Sequence, residues 1–288
     1  MKVQDLPILV TGFNRPHLLE NVLFRLSRLG MKNIWLCLDG PRAHVQRDIE
    51  SYKKNKLLLS KYSSLFGSRV LEQPLNVGCK LNMNMGISWF FENNDYGVII
   101  EDDIIFSDSL FEYQLENLKR FEADFSVGSI TGFMPVDLQF TTFGSDSQFL
   151  VSHKYFCAWG WGSWATRWRE YQADIPDWQS ELSILSLLER VGVKNLRYWI
   201  RRLNQMQSGQ VDTWDFQFLF LHFKRKWSVI APSINLIGNV GFGELATHTK
   251  KSRKIPELGD FPTPESPLRL FSADRQFERD YLRIQFGV

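Results

Sequence analysis

The chain has 288 residues and 44% hydrophobic content, enough to bury one large α/β core, while its 34 basic and 32 acidic residues nearly cancel. That balance excludes a dedicated nucleic-acid binder, which carries a large basic excess. Cys37, Cys79 and Cys157 are odd in number and lack CxxC spacing, so no disulfide framework is indicated and the thiols read as those of a reduced, cytosolic chain.

Pro7 to Thr11 reads as a first strand, and Ile8-Leu9-Val10 within it is too short for a signal peptide's apolar core. Asn14 is placed to cap a helix with Pro16 in an early position, and Leu18, Leu19, Val22, Leu23, Leu26 and Leu29 recur at helical spacing until Gly30. A second strand, 33–38, ends at the turn signal Asp39-Gly40-Pro41. A helix over 45–59, a strand near 69–72, a helix from about Lys80 to Phe91 and a strand over 96–100 follow. This alternation predicts a doubly wound, mostly parallel sheet flanked by helices, whose ligands bind beyond the carboxyl ends of the strands. Asn14, Arg15, Asp39, Gly78 and the run Glu101-Asp102-Asp103 all fall at such ends.

The second half is less regular. Strands are expected at 127–131, 149–152 and 227–231, helical pieces over 182–206 parted near Gly192, and an aromatic helix over 214–223. Ala158 to Trp164 is rich in Gly and Trp, and its indoles suit either sugar stacking or core packing. His248 to Pro267, rich in Lys, Ser, Gly and Pro, reads as mobile. No apolar run approaches the ~20 residues of a membrane span. Residues 1–125 and 126–288 read as two halves of one continuous domain, with a tail from about 250.

Three adjacent carboxylates inside the apolar run 97–107 demand a counter-charge, because an unpartnered buried carboxylate is expensive. Mg²⁺ or Mn²⁺ uses one or two protein carboxylates and completes its shell with water and phosphate oxygens, which points to a nucleotide diphosphate. The competing reading is an acidic turn before a helix capped by Asp108. P-loop, GxGxxG, HExxH and GxSxG signatures are absent from the sequence.

Five segments in chain order, 7–16, Leu38-Asp39-Gly40-Pro41-Arg42, Glu101-Asp102-Asp103, Asp212 to Gln217 and Ala246-Thr247-His248-Thr249, resemble nucleotide-sugar-dependent glycosyltransferases of the GT-A fold over roughly residues 6–250. The triplet and the Trp-Asp pair look most like the N-acetylglucosaminyltransferases that begin complex N-glycan branching. The Asp-Gly-Pro-Arg and Ala-Thr-His segments look more like bacterial family 2 enzymes of surface-polysaccharide synthesis. The resemblance implies a GT-A fold and inverting transfer from a UDP-sugar to a glycan or lipid-linked glycan. In it Arg15 and Asp39 grip the base, with Lys80 where relatives have His, and Glu101 and Asp102 line ribose and phosphates. Asp103 ligates Mn²⁺ or Mg²⁺, and Asp215 is the catalytic base.

Read from the residues, burial at an aromatic helix start suits Asp215 to general-base work, whereas Asp212 suits an N-cap. Gly78 falls among the donor-site glycines, and His248 on its Gly-bounded segment is placed to reach diphosphate or metal. The basic, aromatic stretch 190–202 and the run 250–254 admit a peripheral contact with the inner face of the membrane. Two alternatives are a sugar-1-phosphate nucleotidyltransferase, for which 12–16 is a poor phosphate loop, and a non-catalytic carbohydrate-binding protein of the same fold.

Overall fold

The first three strands are each followed by a helix, so the chain must return across the sheet before the next strand pairs, and those strands run parallel. The computed structural model describes residues 2–67, 69–136, 148–175, 177–211, 213–241, 257–261 and 268–287. In the first half it contains β1 (Ile8–Gly12), α1 (Pro16–Arg28), β2 (Ile34–Leu38), α2 (Gln46–Lys61), α3 (Ser63–Phe66), β3 (Val70–Glu72), α4 (Cys79–Asn93), β4 (Tyr96–Glu101), β5 (Ile104–Phe106) and α5 (Leu110–Arg120). The second half holds β6 (Val127–Thr131), β7 (Phe149–His153), β8 (Trp161–Trp164), α6 (Ala165–Trp168), α7 (Trp178–Glu181), α8 (Ile184–Gln207), α9 (Asp215–Arg225), β9 (Ser228–Pro232), β10 (Ile237–Asn239), β11 (Arg269–Ser272) and α10 (Arg275–Phe286).

Among the described residues, nine strands form one sheet in the order β11-β7-β9-β6-β8-β4-β1-β2-β3. Five neighbouring pairs are parallel, and β8 runs antiparallel to both β4 and β6. The molecule is thus α/β, with a large, mostly parallel central sheet flanked by helices. Because β8 joins the strands of the two halves, the sheet is continuous across the 125/126 boundary.

Ile8, Leu9 and Val10 of β1 are all fully buried, as a central parallel strand covered on both faces requires. Ile8 and Val10 face a core with Leu19, Val22, Leu23 and Leu26 of α1, whereas Leu9 faces the opposite core with Ile87 and Phe90 of α4. Each such side chain stabilises the fold by about 1.5–3 kcal/mol before entropy is counted. The second core continues into the aromatic cluster of β8, α8 and α9.

Two local expectations, the caps at Asn14 and Asp108, are corrected. Asn14 does not cap α1; Arg15 holds the cap position, and the Asn14 amide donates to Asp48 at 2.9 Å. Asp108 does not cap α5 either, because its carboxylate pairs with Arg25 at 2.6 Å. The Gly/Trp stretch supplies β8, and Trp161 is fully buried among Phe156, Trp214 and Phe218, so packing accounts for it. The predicted break at Gly192 is present, with φ +75° inside α8. Among the described residues no helix is long and apolar enough to cross a membrane.

Candidate functional site at the sheet switch point

From β1 the chain moves outward to β2 and β3, then returns to place β4 on the other side of β1. That reversal opens a crevice at the carboxyl ends of β1 and β4, where doubly wound sheets hold their ligands. Arg15, just after β1, meets the acidic triplet at the end of β4 there. Its guanidinium forks two carboxylates, with Nη1 donating to Asp103 Oδ2 at 2.7 Å and Nη2 donating to Asp102. Burial works against the Arg15 charge, but Asp102 and Asp103 outweigh it and hold its pKa above the usual arginine range. The planar fork of Arg15 fits the paired carboxylates beside it.

Asp102 is 2% exposed and does not line an open surface. Burial raises its pKa to about 6 against the pull of Arg15 and of the Phe13 N–H, and among the described residues no donor comes within hydrogen-bond distance of its buried Oδ2. Asp103, 7% exposed, has both oxygens engaged, Oδ2 by Arg15 and Oδ1 by Asn239 Nδ2 at 3.2 Å. Glu101 ends β4. Burial, then the charge of Asp103, push its pKa well up; Asp102 and Asp215 add to the rise, while Arg15 opposes it.

The segment 239–241 roofs this cluster. Strand β10 pairs antiparallel with β5, which begins immediately after Asp103, so Val240 N–H reaches Asp103 O at 2.9 Å. Gly241 N–H donates to Asn239 Oδ1 at 2.7 Å. A Cβ on Gly241 would overlap Asp103 Oδ2 and stand 2.7 Å from Arg15 Nη1, so a larger residue here would have to displace the paired side chains. Asn239 and Gly241 were not singled out from the sequence; their sole local signal is an Asn-x-Gly turn after a short apolar run.

Asp39 organises the neighbouring loop. Its Oδ1 accepts from Gly40 N–H at 2.8 Å and Val77 N–H at 2.9 Å, and its Oδ2 from Asn76 Nδ2 at 2.7 Å and Gly78 N–H at 3.2 Å. Four donors fill a carboxylate's usual acceptor sites, so Asp39 is spent within the chain instead of facing a base. Burial raises its pKa while the backbone donors oppose the rise. Gly78, at φ +88°, turns the chain into α4, a conformation that favours glycine. Lys80 pairs with Asp174 at 2.6 Å.

Across the crevice, Asp215 opens α9, where the helix dipole favours negative charge. Its Oδ1 accepts from Thr213 Oγ1 and from Phe216 N–H at 3.0 Å, and among the described residues no donor faces Oδ2. The loop before α7 holds this helix start: Tyr171 Oη donates to Trp214 O at 3.3 Å and Gln217 Nε2 donates to Ala173 O at 3.3 Å. Tyr171 stacks on Trp168 with ring centroids 4.2 Å apart and lies within the field of Asp215. Tyr171 also escaped sequence reading, since one tyrosine among many aromatics carries no local mark.

The structure therefore brings together Arg15, Glu101, Asp102, Asp103 and Asp215, with Asp39 and Gly78 shaping the adjacent loop. His248 and Asp212 lie outside the described residues, as does most of 248–267. Among the described residues no three His, Cys, Asp or Glu side chains are arranged to hold an ion by themselves. Mg²⁺ or Mn²⁺ bound chiefly through phosphates and water needs only one or two of them. The cluster fits such an ion: three carboxylates share one guanidinium, and Asp102 keeps a buried oxygen that no donor among the described residues reaches within hydrogen-bond distance. Comparison with known proteins finds no family model that matches the chain and no curated protein that matches it.

Proposed function

We propose that this chain is a metal-dependent inverting glycosyltransferase of the GT-A type, moving a sugar from a nucleotide diphosphate, with UDP the expected nucleotide, to a glycan or lipid-linked glycan. The observation that carries the reading is the meeting of Arg15, the acidic triplet and Asp215 at the switch point of the sheet. Arg15 offers a planar donor pair suited to phosphate oxygens. Asp103 would hold Mn²⁺ or Mg²⁺, which when bound neutralises charge on the departing diphosphate.

Inversion is one displacement at the anomeric carbon. An acceptor hydroxyl loses its proton to Asp215 Oδ2 while its oxygen forms the new bond, and the old bond's electron pair leaves with the diphosphate. Asp215 suits this role because one oxygen is anchored by Thr213 and Phe216 while the other has no donor among the described residues. A membrane-linked acceptor at the inner membrane face would meet the exposed Lys194, Arg197 and Arg201 of α8.

The test is Mn²⁺-dependent release of nucleoside diphosphate from a panel of nucleotide sugars, with the product anomer assigned by NMR. Turnover with inverted configuration supports the reading, and retained configuration removes the single displacement. A non-catalytic binder would show donor binding without turnover, and a nucleotidyltransferase would release pyrophosphate from a nucleoside triphosphate and a sugar phosphate.

A further inference from the structure

An ion on Asp103 must compete with a cation that the chain already supplies. Arg15 Nη1 stands 2.7 Å from Asp103 Oδ2 and Nη2 engages Asp102, while Asn239 engages the other Asp103 oxygen. Gly241 closes over the same pair so tightly that a Cβ would stand 2.7 Å from Nη1, and the Arg15 side chain is only 15% exposed. The fork and the roof come from two separate parts of the chain, and together they engage both oxygens of Asp103 and leave its side chain only 9% exposed.

We propose that Arg15 is an exchangeable internal counter-ion that bars Asp103 to free divalent ions and releases it only when a diphosphate arrives to accept the guanidinium. This rests on the nucleotide diphosphate reading above. The exchange conserves hydrogen bonds, since two phosphate oxygens match the guanidinium fork as two carboxylates do. It also conserves charge balance, because the divalent ion replaces on the carboxylates the positive charge that moves to the diphosphate. Ion and diphosphate therefore bind cooperatively, and by linkage each strengthens the other by the same factor.

The experiment titrates Mn²⁺ into the full chain, following the free-ion EPR signal, with and without UDP, for the parent and for Arg15→Gln. The parent is expected to bind Mn²⁺ at least about tenfold more tightly with UDP than without it. Arg15→Gln is expected to bind Mn²⁺ more tightly than the parent when UDP is absent, so that its UDP enhancement is smaller than the parent's. Equal Mn²⁺ affinity of the parent with and without UDP overturns the exchange while leaving the donor reading standing, and so does an Arg15→Gln variant that keeps the parent's enhancement. If Arg15→Gln does not fold, Arg15→Lys, which keeps the charge but cannot fork two carboxylates, replaces it with the same expected direction. Absence of Mn²⁺ binding to the parent with UDP or any other nucleoside diphosphate is a different failure, because it removes the donor reading itself.

Discussion

The Glu101 carboxyl, at the end of β4, lies within the electrostatic field of Asp215, at the start of α9, so the acidic end of β4 and the start of α9 share one pool of charge. Asp215→Asn keeps the Thr213 and Phe216 anchors on an amide oxygen but removes the proton acceptor. Transfer should fall by about 100-fold or more, while donor binding, followed by calorimetry, stays near the parent's. Parental turnover in this variant removes Asp215 from the mechanism.

Asp39 holds the turn that leads into α4, so Asp39→Ala strands the N–H groups of Gly40, Val77 and Gly78. A buried donor left without a partner costs about 1–3 kcal/mol. Faster amide exchange at Val77 and Gly78, with weaker donor binding, is expected by hydrogen-exchange mass spectrometry. Unchanged protection there shows that the loop is held by something else.

Gly241→Ala introduces a methyl group where Asp103 Oδ2 and Arg15 Nη1 already stand. Overpacking of this kind costs about 1–3 kcal/mol, and relief requires moving the roof or the carboxylate. A lower melting temperature together with lost metal-dependent donor binding is expected. A variant that matches the parent in both means that the roof yields freely.

Behind the site, His222 donates through Nδ1 to Phe218 O at 2.9 Å and accepts through Nε2 from Ser129 Oγ at 3.0 Å, the pattern of a neutral ring. Burial drives both His222 and His153 down to about 3, with Arg190 nearby opposing a positive charge. Unfolded histidine titrates near 6.5, so between that pH and 3 the unfolded chain binds protons that the folded one does not. Stability from these rings is therefore full above 6.5 and falls as the pH drops, by about 1.4 kcal/mol per pH unit for each. Glu101 and Asp102, raised in the fold, act in the opposite sense. Urea unfolding at pH 6.5 and 5, compared between parent and His153→Gln, isolates one ring: the variant should lose less stability over that interval, by roughly 1–2 kcal/mol, and an identical loss contradicts the account.

Much of the first half was legible because its signals are local. The apolar run of β1, the helical spacing of Leu19 to Leu26 and the end of β2 at Asp39-Gly40 each depend on a few neighbouring residues, and strand-helix alternation then places Arg15, Asp39 and Glu101 at one end of the sheet. What was not legible depends on distant partners. Nothing near Arg15 announces that it forks Asp102 and Asp103, nothing near Asp39 that Val77 and Gly78 would fill its oxygens, and nothing near Trp161 that its strand enters between β4 and β6. The roof by Asn239 and Gly241 escaped for the same reason: a three-residue strand is set by its partner β5 and not by its own sequence.

The central claim, metal-dependent binding of a nucleotide diphosphate sugar through Asp103, is tested most directly by thermal shift with a panel of such sugars, with and without Mn²⁺, on the parent and Asp103→Ala. A ligand at 100 times its dissociation constant adds about 2.7 kcal/mol to folding stability. The account predicts that at least one sugar nucleotide raises the parent's melting temperature only when Mn²⁺ is present, and that Asp103→Ala loses this rise. No Mn²⁺-dependent shift with any member of the panel, or an undiminished shift in Asp103→Ala, would contradict it.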